Sequence, residues 1–222
     1  MEKLPGEPGT KSFAVSSAVI TGAMGVALGP AAAIVSAGFF GVWNATTMRH
    51  WAQYVDARLA EKNKVLDPDD PQAAAVFNKL TFAALQTSRH DKWALLVDAL
   101  SNSGSASINP DYVQELFADY VIKYTPQHVH LLYLAASPSK WLETHGDGAP
   151  ATIGLSEILL ACVFTRSEDY ELMSETLWND LYTDGMILNR PGGAGTVEEV
   201  FKTGWMATEK GRRFLRHLDR KA

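Results

Sequence analysis

The stretch from Ser12 to Met48, SFAVSSAVITGAMGVALGPAAAIVSAGFFGVWNATTM, contains no charged side chain, and Gly29-Pro30 sits near its middle. Val19, Ile20, Phe39, Phe40 and Trp43 supply much of its hydrophobic bulk, and Gly22, Gly25 and Gly29 keep the part before the proline slim. A bilayer hydrocarbon core of about 30 Å takes roughly 20 apolar residues of helix, so the run is long enough to cross once. Glycine weakens a helix in water but lets helices approach closely in a membrane. Pro30 removes a backbone donor and disfavours helical geometry at Gly29, which splits the run into two short apolar helices or one kinked span. Two readings therefore stand for residues 12–48, a membrane-associated segment or a buried helical hairpin.

The residues around this run set further bounds. Residues 1–11 mix both charges with proline and glycine and read as a disordered lead without the basic start of a secretion signal. The chain is 46% hydrophobic and 20% charged with a formal net charge of −5. That sign argues against a constitutive binder of phosphate backbones. The one cysteine, Cys162, cannot form an internal disulfide, which points to the cytoplasm, including the inner face of the cell membrane.

Beyond residue 48 the pattern turns helical. Trp51, Tyr54, Val55 and Leu59 recur at helical spacing. Asp70 before Pro71 reads as an N-cap with proline at the first helical position. Ser88-Arg89-His90-Asp91 reads as a capping box ahead of the Trp93, Leu96, Val97, Leu100 stripe. Asn109-Pro110 and Thr125-Pro126 repeat the cap-and-proline device. The helix after the first carries Val113, Leu116, Phe117, Tyr120, Val121 and Tyr124. The helix after the second is apolar all round and reads as buried. These helices predict one α-helical domain over 49–143, followed by a Gly-, Asp- and Pro-rich linker over 144–153.

Residues 154–222 predict a different layout: a helix from Leu155 to Thr165 and another from Asp169 to Asp184, with Leu172, Leu177 and Leu181 inward. Met186 to Leu188 then reads as a short strand, Pro191 to Gly195 as a loop tip, Phe201 to Met206 as a returning strand, and Thr208 as the cap of a last helix. The expected fold class is therefore mainly α, a helical bundle followed by a small winged-helix-like α+β domain.

Arg89-His-Asp-Lys-Trp-Ala-Leu-Leu-Val-Asp-Ala-Leu-Ser-Asn-Ser103 resembles a pattern of uncharacterised bacterial proteins, some grouped with the abortive-infection alpha-type family. The likeness continues through Leu116-Phe-Ala-Asp-Tyr120 and Tyr124-Thr-Pro-Gln-His-Val-His-Leu-Leu132. It returns in Leu177-Trp-Asn-Asp-Leu-Tyr-Thr-Asp-Gly-Met-Ile187 and Thr208-Glu-Lys-Gly-Arg-Arg-Phe-Leu215. It covers about two thirds of the chain as a loose pattern, and it implies a non-catalytic bacterial protein tied to phage defence. It carries no catalytic residue across.

No motif points to a catalytic site, a cofactor or a metal. His128 and His130 are two apart, so on a helix their side chains diverge and one ion does not take both; they read as helix-surface histidines. Gly-rich segments lack the Lys-Ser/Thr of a phosphate loop, and no serine sits in a Gly-x-Ser-x-Gly elbow. Cys162 lies in an apolar run and reads as a packed thiol. In a winged helix the recognition position falls on the Asp169–Asp184 helix, which carries acids and no Lys or Arg between Glu171 and Asp184. The expected partner is accordingly another protein or a second copy, with a membrane through residues 12–48. The alternative is a soluble DNA-binding regulator with a helical sensing or dimerisation domain, contacting nucleic acid through Arg190, Lys202, Arg212, Arg213 and Arg216.

Overall fold

The structure, a computed structural model, describes residues 41–67, 69–87, 89–104, 109–147, 149–164, 167–189, 195–202 and 207–218. Val19, Ile20, Gly22, Gly25, Gly29, Pro30, Phe39, Phe40 and Arg190 lie outside these, as do the side chains of Trp43 and Lys202. The described residues are mainly helical. They divide into two compact units, Met1–Ile122 and Lys123–Ala222. This division falls earlier than the 144–153 segment expected from composition. Among the described residues no helix is long and apolar enough to cross a membrane.

The first unit holds α1 (Gly41–Glu61), α2 (Pro71–Leu85), α3 (His90–Leu100) and α4 (Asp111–Lys123), the last of which ends on the first residue of the second unit. Asp70 caps α2 as its sequence predicts, its Oδ1 accepting from Gln72 N at 2.9 Å and Ala73 N at 3.2 Å. Satisfying two of the free N–H groups of a first turn contributes about 1 kcal/mol. The predicted capping box before α3 is corrected: the N-cap is Arg89, with no side-chain cap bond, and Thr87 Oγ1 instead accepts from Arg89 N at 3.2 Å.

Helices α1, α2 and α3 pack on one another around Trp51, which is fully buried. Its Nε1 donates to Thr81 Oγ1 at 3.0 Å, and the Trp93 ring meets it edge-on at 5.6 Å. A buried indole N–H usually finds such an acceptor, and this bond ties α2 to α1. Buried polar groups then tie the helix ends. Lys62 pairs with the buried Asp98 at 2.9 Å. Gln114, fully buried, accepts from Gly104 N at 2.6 Å and donates to Asn109 O at 2.9 Å. Lys92 Nζ donates to the Val121 and Ile122 carbonyls, which are otherwise free at the end of α4.

In the second unit α5 (Pro126–Ala136) packs against α6 (Pro138–His145), α8 (Ser167–Thr183) and α10 (Glu209–His217), while α7 (Leu155–Cys162) packs on α8. Leu131, Leu132 and Leu134 are fully buried, which agrees with a helix apolar all round. The 144–153 segment is tied down: Ile153 O accepts from Val197 N and Ala151 O from Glu198 N, at 2.9 and 2.8 Å.

No extended strand occurs among the described residues. Two isolated antiparallel bridges stand in their place, Gly154↔Thr196 and Ile187↔Ala207. The strand expected over Phe201 to Met206 is corrected at its start, because Phe201 and Lys202 lie in α9 (Val197–Lys202), and residues 203–206 lie outside the described residues. Thr196 and Glu199 form a reciprocal capping box there, Glu199 Oε2 accepting from Thr196 N and Thr196 Oγ1 from Glu199 N. Thr208 caps α10 as expected, accepting from Gly211 N at 3.1 Å. Gly211 lets α10 come close: a Cβ there would stand 2.4 Å from Met186 O.

Candidate functional site

A network of polar side chains in the second unit joins the start of α5 to the end of α8. His128 occupies the third position of α5 and completes a capping box with Thr125, taking the place of the usual Glu or Gln. Its Nδ1 accepts from Thr125 N at 3.1 Å. That lone pair is committed, so the ring proton sits on Nε2, which donates to Asp180 Oδ2 at 3.3 Å. The Tyr124 ring stacks on the imidazole at 4.8 Å, and its hydroxyl donates to Asp184 Oδ2 at 2.7 Å. Lys123 closes the network at 2.7 Å from Asp184 and 3.9 Å from Asp180.

This arrangement corrects the reading of His128 as a helix-surface residue, since it is only 4% exposed. His128 and His130 do diverge along α5, as their spacing requires. The His130 ring lies against that of His145 at 5.0 Å. Among the described residues no three His, Cys, Asp or Glu side chains are grouped to hold a metal ion.

Thr125 Oγ1, 3.0 Å from His128 Nδ1, gives the string Thr125, His128, Asp180 the connectivity of a nucleophile, base and orienting acid. The chemistry differs. Nδ1 already accepts a backbone N–H and is not open to take the hydroxyl proton, and the ring is buried under Tyr124. The network reads as a helix cap that also anchors α8. Cys162 is no better placed as a nucleophile: burial, and then the Asp147 carboxylate, push its thiol above the usual range, which lowers the thiolate fraction at neutral pH.

With Asp180 and Asp184 engaged on its inner side, α8 presents a different face to solvent. Leu177, Trp178 and Leu181 are buried, but Leu172 is not inward as expected: it is 78% exposed. Glu168 lies four residues before it and Glu175 three after, Glu171 is its neighbour in sequence and spaced three and four from the other two glutamates, and Tyr182, 46% exposed, lies farther along. These three glutamates are exposed and make no ion pair among the described residues. Like charges at such spacings cost a helix about 0.2–0.5 kcal/mol per pair.

Two cationic residues of α10 are engaged locally. Arg216 pairs with Glu209 at 2.7 Å, and Lys210 Nζ donates to Asp184 O at 2.7 Å. Arg212 and Arg213 are half-buried, and Phe214, Leu215 and Leu218 are fully buried. Of the basic set read from the sequence, the structure places Arg212, Arg213 and Arg216 on one short helix and leaves Arg190 outside the description.

Sequence reasoning missed the His128 network. A polar residue able to accept at the third position after Thr125-Pro126 is the signal that could have found it. Asp180, 52 positions away, has no such local sign. Comparisons with protein-family models, with curated proteins and with solved structures gave no match.

Proposed function

We propose that this chain is a non-catalytic bacterial interaction protein whose residues 154–222 are a winged-helix-like module that engages a protein rather than DNA. The observation that carries the reading is α8: the helix in the recognition position exposes Glu168, Glu171 and Glu175 and has no cation from Ser167 to Gly185. A phosphate backbone is repelled by such a face. The order α7, α8, bridge, α9, bridge, α10, with Ile187 paired to Ala207, supports the winged-helix part. The resemblance to abortive-infection alpha-type proteins supports a role in phage defence, and the charge-free run over 12–48 supports attachment to the inner face of the cell membrane.

Titration of fluorescent duplex DNA with the full chain at about 50 mM salt, where screening is weak, tests this reading. The expected result is no saturable binding. Saturable binding that falls steeply with salt and disappears on replacing Arg212 and Arg213 by Ala would establish the regulator instead. The membrane part rests on a separate result: after a carbonate wash the full chain should stay with the membrane pellet, and its recovery in the supernatant would remove that part.

A further inference from the structure

We propose that the outer face of α8 is the docking surface for a basic amphipathic helix of a partner protein. This deepens the protein-partner reading and rests on it. Leu172 stands exposed with Glu168, Glu171 and Glu175 around it. Burying that leucine is favourable only against apolar surface, and cations alongside would relieve the repulsion among the carboxylates. The face runs along one helix from Glu168 to Tyr182, about 20 Å at the α-helical rise. A helix of about four turns matches that length, with apolar residues at three- and four-residue intervals and Lys or Arg on either side.

Other occupants fit less well. Nucleic acid and anionic lipid carry the wrong sign. A second copy would have to offer a basic helix with free apolar residues. In α10 the apolar residues are buried, Arg216 is paired with Glu209, and Lys210 is bonded to Asp184 O. The inner side of α8, fixed by Leu177, Trp178 and Leu181 and by the contacts of Asp180 and Asp184, makes the outer face a preformed platform. Binding there orders only the incoming helix.

The test uses the full chain and a fluorescent synthetic helix of about 20 residues, with a leucine seam flanked by Lys and Arg. A second peptide keeps the seam and carries Glu at the flanking positions. The basic peptide should bind saturably and the acidic one should not. Leu172→Ser should weaken binding about tenfold, the loss expected from exposing one leucine. Glu171→Lys with Glu175→Lys should transfer binding to the acidic peptide. All three side chains are exposed, so circular dichroism should be unchanged in both variants. Equal binding of the basic peptide by the parent and both variants would overturn the proposal, as would absence of binding. Silence of both the peptide and DNA would remove the basic helix as partner but leave the protein-partner reading standing. DNA binding through Arg212 and Arg213 would overturn both.

Discussion

Replacing His128 by Ala should remove three things at once: the acceptor for Thr125 N–H, the donor to Asp180, and a buried ring stacked on Tyr124. Loss of a helix N-terminal cap costs about 1 kcal/mol. The bond to Asp180 is worth about 1 kcal/mol here, because that carboxylate is one-third exposed and water replaces the donor in part. The vacated, stacked ring adds about 1–2 kcal/mol. The expected loss for His128→Ala is about 3–4 kcal/mol. His128→Gln restores the residue type most common at this position of a capping box and should recover about 1 kcal/mol of it. Urea unfolding of the full chain gives the free energies, and hydrogen exchange at Thr125 N–H isolates the cap. Thr125 should exchange fast in the Ala variant and slowly in the Gln variant. Equal stability of the two variants with unchanged Thr125 exchange, or a loss below about 1 kcal/mol in the Ala variant, would refute the role given to Nδ1.

Burial and, secondarily, Arg89 hold the Lys92 ammonium down at about 8 from its usual 10.5. Below that pH both folded and unfolded chains carry the charge, and its desolvation cost is fully present. As pH rises from about 8 toward 10.5 the folded chain sheds the proton first, so stability should increase across that window. The full shift corresponds to about 3 kcal/mol, reduced to about 1–2 kcal/mol by solvent screening of a partly exposed head group. The stability gain between pH 7.5 and 9.5 should vanish in Lys92→Met, and parallel pH profiles for the two proteins would contradict the assignment. Gly211→Ala should lower the melting temperature although alanine favours helix by about 1 kcal/mol. Its Cβ would meet Met186 O at 2.4 Å and Leu132 Cδ1 at 3.1 Å, an overpacking cost of about 1–3 kcal/mol. A raised melting temperature would mean that α10 is free to move away.

The parts of the fold read correctly from the sequence are those fixed within a few residues. Asp70-Pro71 starts α2, Thr208 caps α10, and Gly185, at φ 68°, ends the α8 region in the left-handed conformation that glycine takes without strain. The expected capping box at Ser88–Asp91 gives way to an N-cap at Arg89, and the Asp91 carboxylate accepts instead from the Arg89 guanidinium and from Lys92 N. The signature of α9, Thr196-x-x-Glu199, was equally local, but the same residues also suit a loop between strands. Leu172 is a matter of spacing. It lies five positions before Leu177 and nine before Leu181, so at about 100° per residue it points well away from both, and its exposure follows from that offset once Leu177 and Leu181 face the core. The His128 network depends on Asp180 and Asp184, carboxylates whose role at the inner side of α8 no spacing rule reveals.

The glutamates around Leu172 also govern how this protein meets copies of itself. A leucine so bare invites contact with any apolar surface, and close negative charges are what keep two such faces apart at low ionic strength. Their repulsion reaches about 10 Å at 0.1 M salt and only about 3 Å at 1 M. Concentrated salt should therefore unmask the leucine and favour contacts through α8 that dilute buffer suppresses.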